Sequence, residues 1–334
     1  MTTTLTSSQS GFHSPLAVQL ERFLNLKRAM GYRYREEALL VRDLDRFLTA
    51  RLPADNPVLT LDVARAYLAR RGTESETTRM HRLTIFREVS RFLRLEDGRT
   101  AIPGPRFLGI ARSPFVPRVL TREEGTRFLQ ACGGFPFDCR SPVRHVVFGT
   151  VFRVLYLTGL RTGEILRLTQ ADVDLHAAVL HIRHSKFGKS RLIPVASDLV
   201  GHLAYCRKVV QAHLGTCSPD TPFFPHPTGR PYGRSALRHA FYQLLDRAGI
   251  PRVSGGRRLR VHDTRHSFAV LRLTLWYEQH VDLAAKLPLL ATYLGHVDLV
   301  SSQHYLQLTQ DLVAEITQRY QARFGHLITD ERSS

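Results

Sequence analysis

Acidic residues are scarce in this chain. Its 334 residues hold 29 Asp and Glu against 47 Lys and Arg, giving a formal net charge of +18 and a pI of about 10.5. An excess of that size favours a polyanionic partner, either nucleic acid or an anionic membrane surface. Long apolar runs are also missing. None approaches the ~18 residues that a membrane span needs, so no membrane association is expected. The stretch from Met1 to Pro15 is polar and has no basic patch followed by an apolar segment, so no secretory signal is expected there. These absences leave nucleic acid as the expected partner and the cytoplasm, on the nucleoid, as the expected location.

Cysteine is sparse too. The four thiols, Cys132, Cys139, Cys206 and Cys217, include no C-x-x-C pair, so zinc-ligand spacing is absent. Four cysteines in a chain of this length do not build a disulfide scaffold, and reduced thiols are expected. There is no G-x-x-x-x-G-K-[ST] phosphate loop, no compact carboxylate motif of a two-metal nuclease and no serine-nucleophile motif. No cofactor and no metal is expected.

What is present is a globular composition. Hydrophobic residues make up 43% and charged residues 23%, enough for a real core, and the length suits about two domains. The first part reads as helices. Leu16, Leu20, Phe23 and Leu24 recur at helical spacing, as do Leu40, Leu44, Phe47 and Leu48. Thr60 is placed to cap a third helix. A fourth is expected from about Glu76 to Leu95, with Leu83, Phe86, Val89 and Leu93 on one side. Beside that face Arg87, Arg91 and Arg94 align, either as a solvated flank or, given the net charge, as phosphate contacts.

Residues 97–118 hold four prolines and three glycines without sustained periodicity, which reads as an interdomain linker. Residues 1–96 are then a helical DNA-binding domain and residues 119–334 a second domain. The second domain opens on a capping box of Thr121 and Glu124. An apolar helix follows from about Val143 to Leu157 and stops at Thr158-Gly159. The one clear β pattern runs from Val179 to Val195, where VLHIR and RLIPV flank a turn-rich Ser185–Ser190 segment. Helices are expected again over Arg234–Gly249, over His262–Gln279 and from about Gln310, where Leu312, Ile316, Tyr320 and Phe324 form an apolar stripe. The expected fold is mainly α with a small antiparallel β-hairpin or sheet, in two domains.

Several short motifs stand in the second domain. In Thr158-Gly159-Leu160-Arg161 a buried helix ends at a glycine and an arginine is presented at the next helix start. Helix starts favour anions, and a guanidinium fork matches phosphate. Glu164 follows one helical turn later, either to orient that guanidinium or as an ordinary surface carboxylate. His262 and Arg265 share one face of the first turn of a helix. Leu294-Gly295-His296 is followed nine residues later by Tyr305.

In this order the motifs resemble the tyrosine recombinase, or phage integrase, family. The family pattern is an arginine in T-G-L-R, a lysine in a β-hairpin, H-x-x-R, L-G-H and a nucleophilic tyrosine. Here these are Arg161, Lys186, His262, Arg265, His296 and Tyr305. The resemblance covers the chain from about Val119 onward; the helical N-terminal part matches the family's core-binding domain by architecture only. It implies a site-specific recombinase that breaks and rejoins DNA through a covalent 3′-phosphotyrosine, without metal or ATP, for integration, excision or transposition of a mobile element. It implies Tyr305 as nucleophile, Arg161 and Arg265 as clamps on the phosphate, and His262 and His296 as hydrogen-bond donors. Lys186 is the implied general acid, with Lys189 as second choice, and Lys189 and Arg191 join the expected DNA contacts. The implied partners are double-stranded DNA and either further copies of the chain, a tetramer in synapsis, or related recombinases. A type IB topoisomerase and a catalytically silent DNA-binding accessory protein are the alternatives. One departure is the thirty-residue interval from Arg265 to Gly295, which is longer than in compact members and resembles recombinases of transposons and integrative elements.

Overall fold

A computed structural model describes residues 11–32, 34–110, 117–183 and 190–295. The chain divides into two compact units, Met1–Pro114 and Phe115–Ser334.

In the first unit four helices surround one apolar core: α1 (Ala17–Ala29), α2 (Arg35–Thr49), α3 (Leu61–Tyr67) and α4 (Glu76–Arg94). Leu20, Leu44 and Phe86 are fully buried, and each lies on an apolar stripe that the sequence pattern had marked. The helix starts are set by side chains. Thr60 Oγ1 accepts the Val63 N–H at 3.2 Å and Ser75 Oγ accepts the Thr78 N–H at 3.1 Å, each satisfying a backbone donor with no intrahelical partner. Buried Arg82 donates to both Glu74 oxygens at 3.0 and 2.8 Å and lies over the Tyr67 ring at 4.6 Å, so its charge is paired as burial demands.

The segment read as a linker is not all spacer. The Ala101 N–H donates to Leu59 O at 2.8 Å, and Phe107 and Leu108 pack on the core of the first unit. At its far end Arg118 pairs with Glu124 at 2.8 Å in the second unit. Proline and glycine content marked a break in periodicity, but it did not reveal that both flanks are anchored.

The second unit is built around α6 (Arg144–Thr158), on which eleven of fifteen residues are buried. A helix apolar on nearly every side must be enclosed, and α5 (Arg122–Gly133), α8 (Ser197–Leu214), α9 (Arg234–Arg247) and α10 (Asp263–Glu278) all pack on it. The expected capping box is present: Glu124 N–H donates to Thr121 Oγ1 and Thr121 N–H to Glu124 Oε2, both at 3.1 Å. A one-turn helix α7 (Thr162–Ile165) and a 3-10 turn (Gln170–Asp172) lead into a three-stranded antiparallel sheet. Its strands are β1 (Val173–Asp174), β2 (Val179–Ile182) and β3 (Arg191–Pro194), with His181 opposite Leu192 and Ile182 opposite Arg191. Leu180 and Ile182 point into the core while Val179 and His181 are half-buried, the period-two alternation of a strand with one covered face. A small hairpin of β4 (Val253–Ser254) and β5 (Arg257–Arg258) precedes α10, and α11 (Leu283–Leu294) follows it. The fold is thus mainly α with small antiparallel sheets. No helix among the described residues is long and apolar enough to cross a membrane. The helix expected from Gln310 lies outside the described residues.

Candidate active site

Two left-handed glycines shape the site. α6 ends at Gly159 (φ 63°) and α11 at Gly295 (φ 68°), the conformation that closes helices and that side-chain-bearing residues resist. A methyl group at Gly159 would lie 2.6 Å from the Phe268 ring, so the tight approach of α6 to α10 also needs glycine there. Each glycine turns its carbonyl toward an arginine. Arg265, buried in the first turns of α10, donates through Nη1 to Gly159 O at 2.8 Å and through Nη2 to Leu294 O at 2.7 Å. Arg161, at the start of α7, donates through Nη2 to Gly295 O at 2.7 Å. The terminal carbonyls of a helix lack intrahelical partners and carry partial negative charge, which makes them good acceptors for these cations.

Glu164 links the arginines. It is buried, accepts Arg161 Nη1 on Oε1 at 2.9 Å and the Arg161 N–H on Oε2 at 3.0 Å, and takes a two-toothed contact from Arg191 Nη1 and Nη2 at 3.0 and 2.9 Å. Burial alone would push this carboxyl up. The Arg191 hydrogen bonds and charge, with those of Arg161, outweigh it and hold the group at about 2. The sequence left Glu164 open between an orienting and a surface role; at 1% side-chain exposure, bonded to Arg161, it orients the guanidinium.

His262 precedes α10 and keeps an exposed face, with its ring edge-on to that of His266 at 5.1 Å. Surrounding protein, then the charges of Arg265, Arg260 and Arg161, lower its pKa to about 4 against the opposing pull of Asp263. The ring is therefore neutral at physiological pH. Asp263 is fully buried and accepts the Arg260 N–H at 2.7 Å and Arg260 Nη2 at 3.0 Å, which secures the start of α10 and with it the direction of Arg265.

The fold thus brings Arg161, His262 and Arg265 together from two elements, the start of α7 and the start of α10. Lys186, Lys189, His296 and Tyr305 lie outside the described residues. Arg191, expected from the sequence among the DNA contacts, faces inward to Glu164 with its side chain only 12% exposed; pairing with a buried carboxylate explains the difference. In the first unit Arg91 and Arg94 are exposed on α4, whereas Arg87 is half-buried and donates through Nε to Pro103 O at 2.8 Å. A stripe of three arginines is therefore two exposed cations and one that fastens the neighbouring loop.

Residues 118–311 match the phage integrase family. A protein of Sinorhizobium fredii named "Putative integrase/recombinase y4rE" is 32% identical over 305 residues, covering 91% of this chain and 95% of that protein. The chain belongs to the phage integrase family. This tyrosine recombinase is also 27% identical, over 74% of its length and 75% of its relative's, to the tyrosine recombinase XerD of Vibrio vulnificus. Among solved structures its fold resembles XerH bound to its palindromic difH substrate, with a TM-score of 0.65 at 18% identity over 91% of this chain and 84% of that one. It also resembles the Tn1549 transposon integrase in complex with transposon right end DNA, with a TM-score of 0.60 at 17% identity over 86% and 94%.

Proposed function

We propose that this recombinase cuts and rejoins DNA through a covalent 3′-phosphotyrosine on Tyr305, in the integration, excision or transposition of a mobile element. The observation that carries the reading is the convergence of Arg161 and Arg265 on the ends of α6 and α11, beside a neutral His262. Attack of the Tyr305 hydroxyl on a DNA phosphorus builds negative charge on the non-bridging oxygens. Guanidinium groups fixed in advance stabilise that charge without reorganising. His262 accepts the phenolic proton and Lys186 protonates the departing 5′ oxygen. In the reverse step a 5′ hydroxyl attacks the phosphotyrosine and the phenolate leaves. One phosphodiester is lost and one is formed, so no nucleotide needs to be spent.

The partners in this reading are double-stranded DNA and further copies of the chain, four in the synaptic complex. The excess of basic residues and exposed Arg91 and Arg94 on α4 suit the duplex. Similarity to an integrase/recombinase over nearly the whole chain and fold likeness to a transposon integrase support a mobile element as the cargo.

The test is a suicide substrate, nicked so that the cut strand's end diffuses away, incubated in chelator. The wild-type chain should form a denaturant-stable DNA adduct, and Tyr305→Phe should bind the same DNA and form none. An adduct on the Phe variant, or cleavage that requires added Mg²⁺, overturns the reading.

A further inference from the structure

Three arginines crowd the end of α11. Tyr293 O accepts Arg191 Nε at 2.8 Å, Leu294 O accepts Arg265 Nη2 at 2.7 Å and Gly295 O accepts Arg161 Nη2 at 2.7 Å. These are successive carbonyls, served by β3, by α10 and by the start of α7. Two of the three guanidinium groups belong to the clamp. The third, Arg191, has no part in it, yet all three of its nitrogens are engaged: Nε goes to Tyr293 O and both Nη atoms go to Glu164.

The direction of Arg161 is fixed by two acceptors, Glu164 Oε1 at Nη1 and Gly295 O at Nη2. Arg191 bonds the first of those acceptors and packs against the residue that carries the second. It grips Glu164 on both oxygens, and it grips the chain at Tyr293, two residues before Gly295. Gly295 itself is packed against it, since a methyl group there would lie 2.9 Å from Arg191 Nη1 and 3.1 Å from Cζ. The planar fork matters here. A lysine ammonium at the same place could serve Glu164 or Tyr293 O, but not both in this geometry.

We propose that Arg191 is a positioning residue of the recombination site, one that locks Glu164 and the last turn of α11 in a single register and so aims Arg161 at the phosphate without touching DNA. The proposal rests on the reading of Arg161 as a phosphate ligand. It assigns β3 a second duty beside carrying the hairpin: the strand that follows the hairpin is bolted to the residue that orients the clamp.

The test compares Arg191→Met, Arg161→Ala and the double variant on half-site DNA and on suicide substrates, at a temperature where Trp276 fluorescence shows each to be folded. Arg191→Met should bind half-site DNA as the wild type does, with the same salt slope. Its single-turnover cleavage should fall on the order of 10- to 100-fold, the scale of losses when a supporting contact is removed or a reacting group is slightly misplaced. The defect should be equal on a 5′-bridging phosphorothiolate, because the loss is at the non-bridging oxygens and not at the leaving group. In the Arg161→Ala background the Arg191 substitution should cost nothing further, since it acts through Arg161. A merely structural residue would slow that background as much as it slows the wild type, and that result overturns the proposal. So does wild-type cleavage by Arg191→Met, or a weaker half-site affinity with the salt slope reduced by ~0.9, the signature of a lost phosphate contact. If Arg191→Met fails to fold, Arg191→Lys, which keeps the charge but cannot span both partners, is measured in the same way with the same expectations. Undiminished cleavage by Arg161→Ala would instead sink the clamp reading itself, whereas a crippled Arg161→Ala beside a normal Arg191 variant sinks only this one.

Discussion

Replacing Glu164 with Gln should destabilise the second unit by an amount that depends on pH. The carboxyl is held at about 2 against its ordinary 4.5. At ~1.4 kcal/mol per pH unit that difference corresponds to about 3 kcal/mol of stability at neutral pH. The figure is similar to the ~3–5 kcal/mol lost when one partner of a buried ion pair is removed. Because the folded-state pKa is depressed, the contribution is fully present above the unfolded value of 4.5 and is lost as pH falls through about 2. Less than about half of it remains near pH 3. Glutamine cannot titrate, so the gap between wild type and variant should shrink over that same range. The assay is urea unfolding of the full chain followed by intrinsic tryptophan fluorescence. The chain has one tryptophan, Trp276, and it lies on α10 in the same unit as Glu164, so the signal reports that unit alone. A gap near 3 kcal/mol at about pH 7 that narrows on acidification supports the argument. No gap at neutral pH, or the same gap at both pH values, refutes it.

Two further outcomes bear on the chemistry. Lys186→Ala should cleave ordinary DNA slowly and recover on a 5′-bridging phosphorothiolate, whose sulfur leaves without a proton; equal defects on both substrates would pass the role of acid to another residue, Lys189 first. With the His262 ring held at about 4, the pH profile of cleavage should carry no break from this residue between about pH 6 and 8; a break near pH 6.5 that disappears in His262→Gln would show that the ring titrates normally.

The grouping of Arg161, His262 and Arg265 was legible because these residues fall in short local patterns. Arg161 follows a glycine that ends a buried helix, and His262 and Arg265 are neighbours on one helical turn. The same locality exposed the Thr121 capping box and the β2–β3 hairpin. What the sequence concealed was long-range. Arg191 reads as one more cation on a basic chain, and nothing local says that its partner is Glu164, 27 residues earlier, and not a phosphate. Arg87 was hidden in the same way, because its acceptor is a backbone carbonyl in a loop. Helices α8 and α11 were not anticipated. α8 buries only four of its eighteen residues, Leu199, Leu203, Cys206 and Val210, and α11 carries Pro288 inside it, which interrupts the ordinary helix signal. α11 fills much of the interval between Arg265 and Gly295.

The contacts at the end of α11 also bear on when the enzyme becomes dangerous to DNA. Arg161 reaches Gly295 O across 134 residues of chain, Arg265 reaches Gly159 O across 106 and Arg191 reaches Tyr293 O across 102. Closing loops of that length costs entropy that only a formed core repays. A nascent chain still on the ribosome, with residues 293–295 not yet released, already carries its arginines but lacks the carbonyls of α11 that complete their orientation. Such a chain can adhere to DNA as a polycation while lacking the ordered groups that cutting requires. On the proposed reading of these arginines, competence to break a strand arrives late in synthesis.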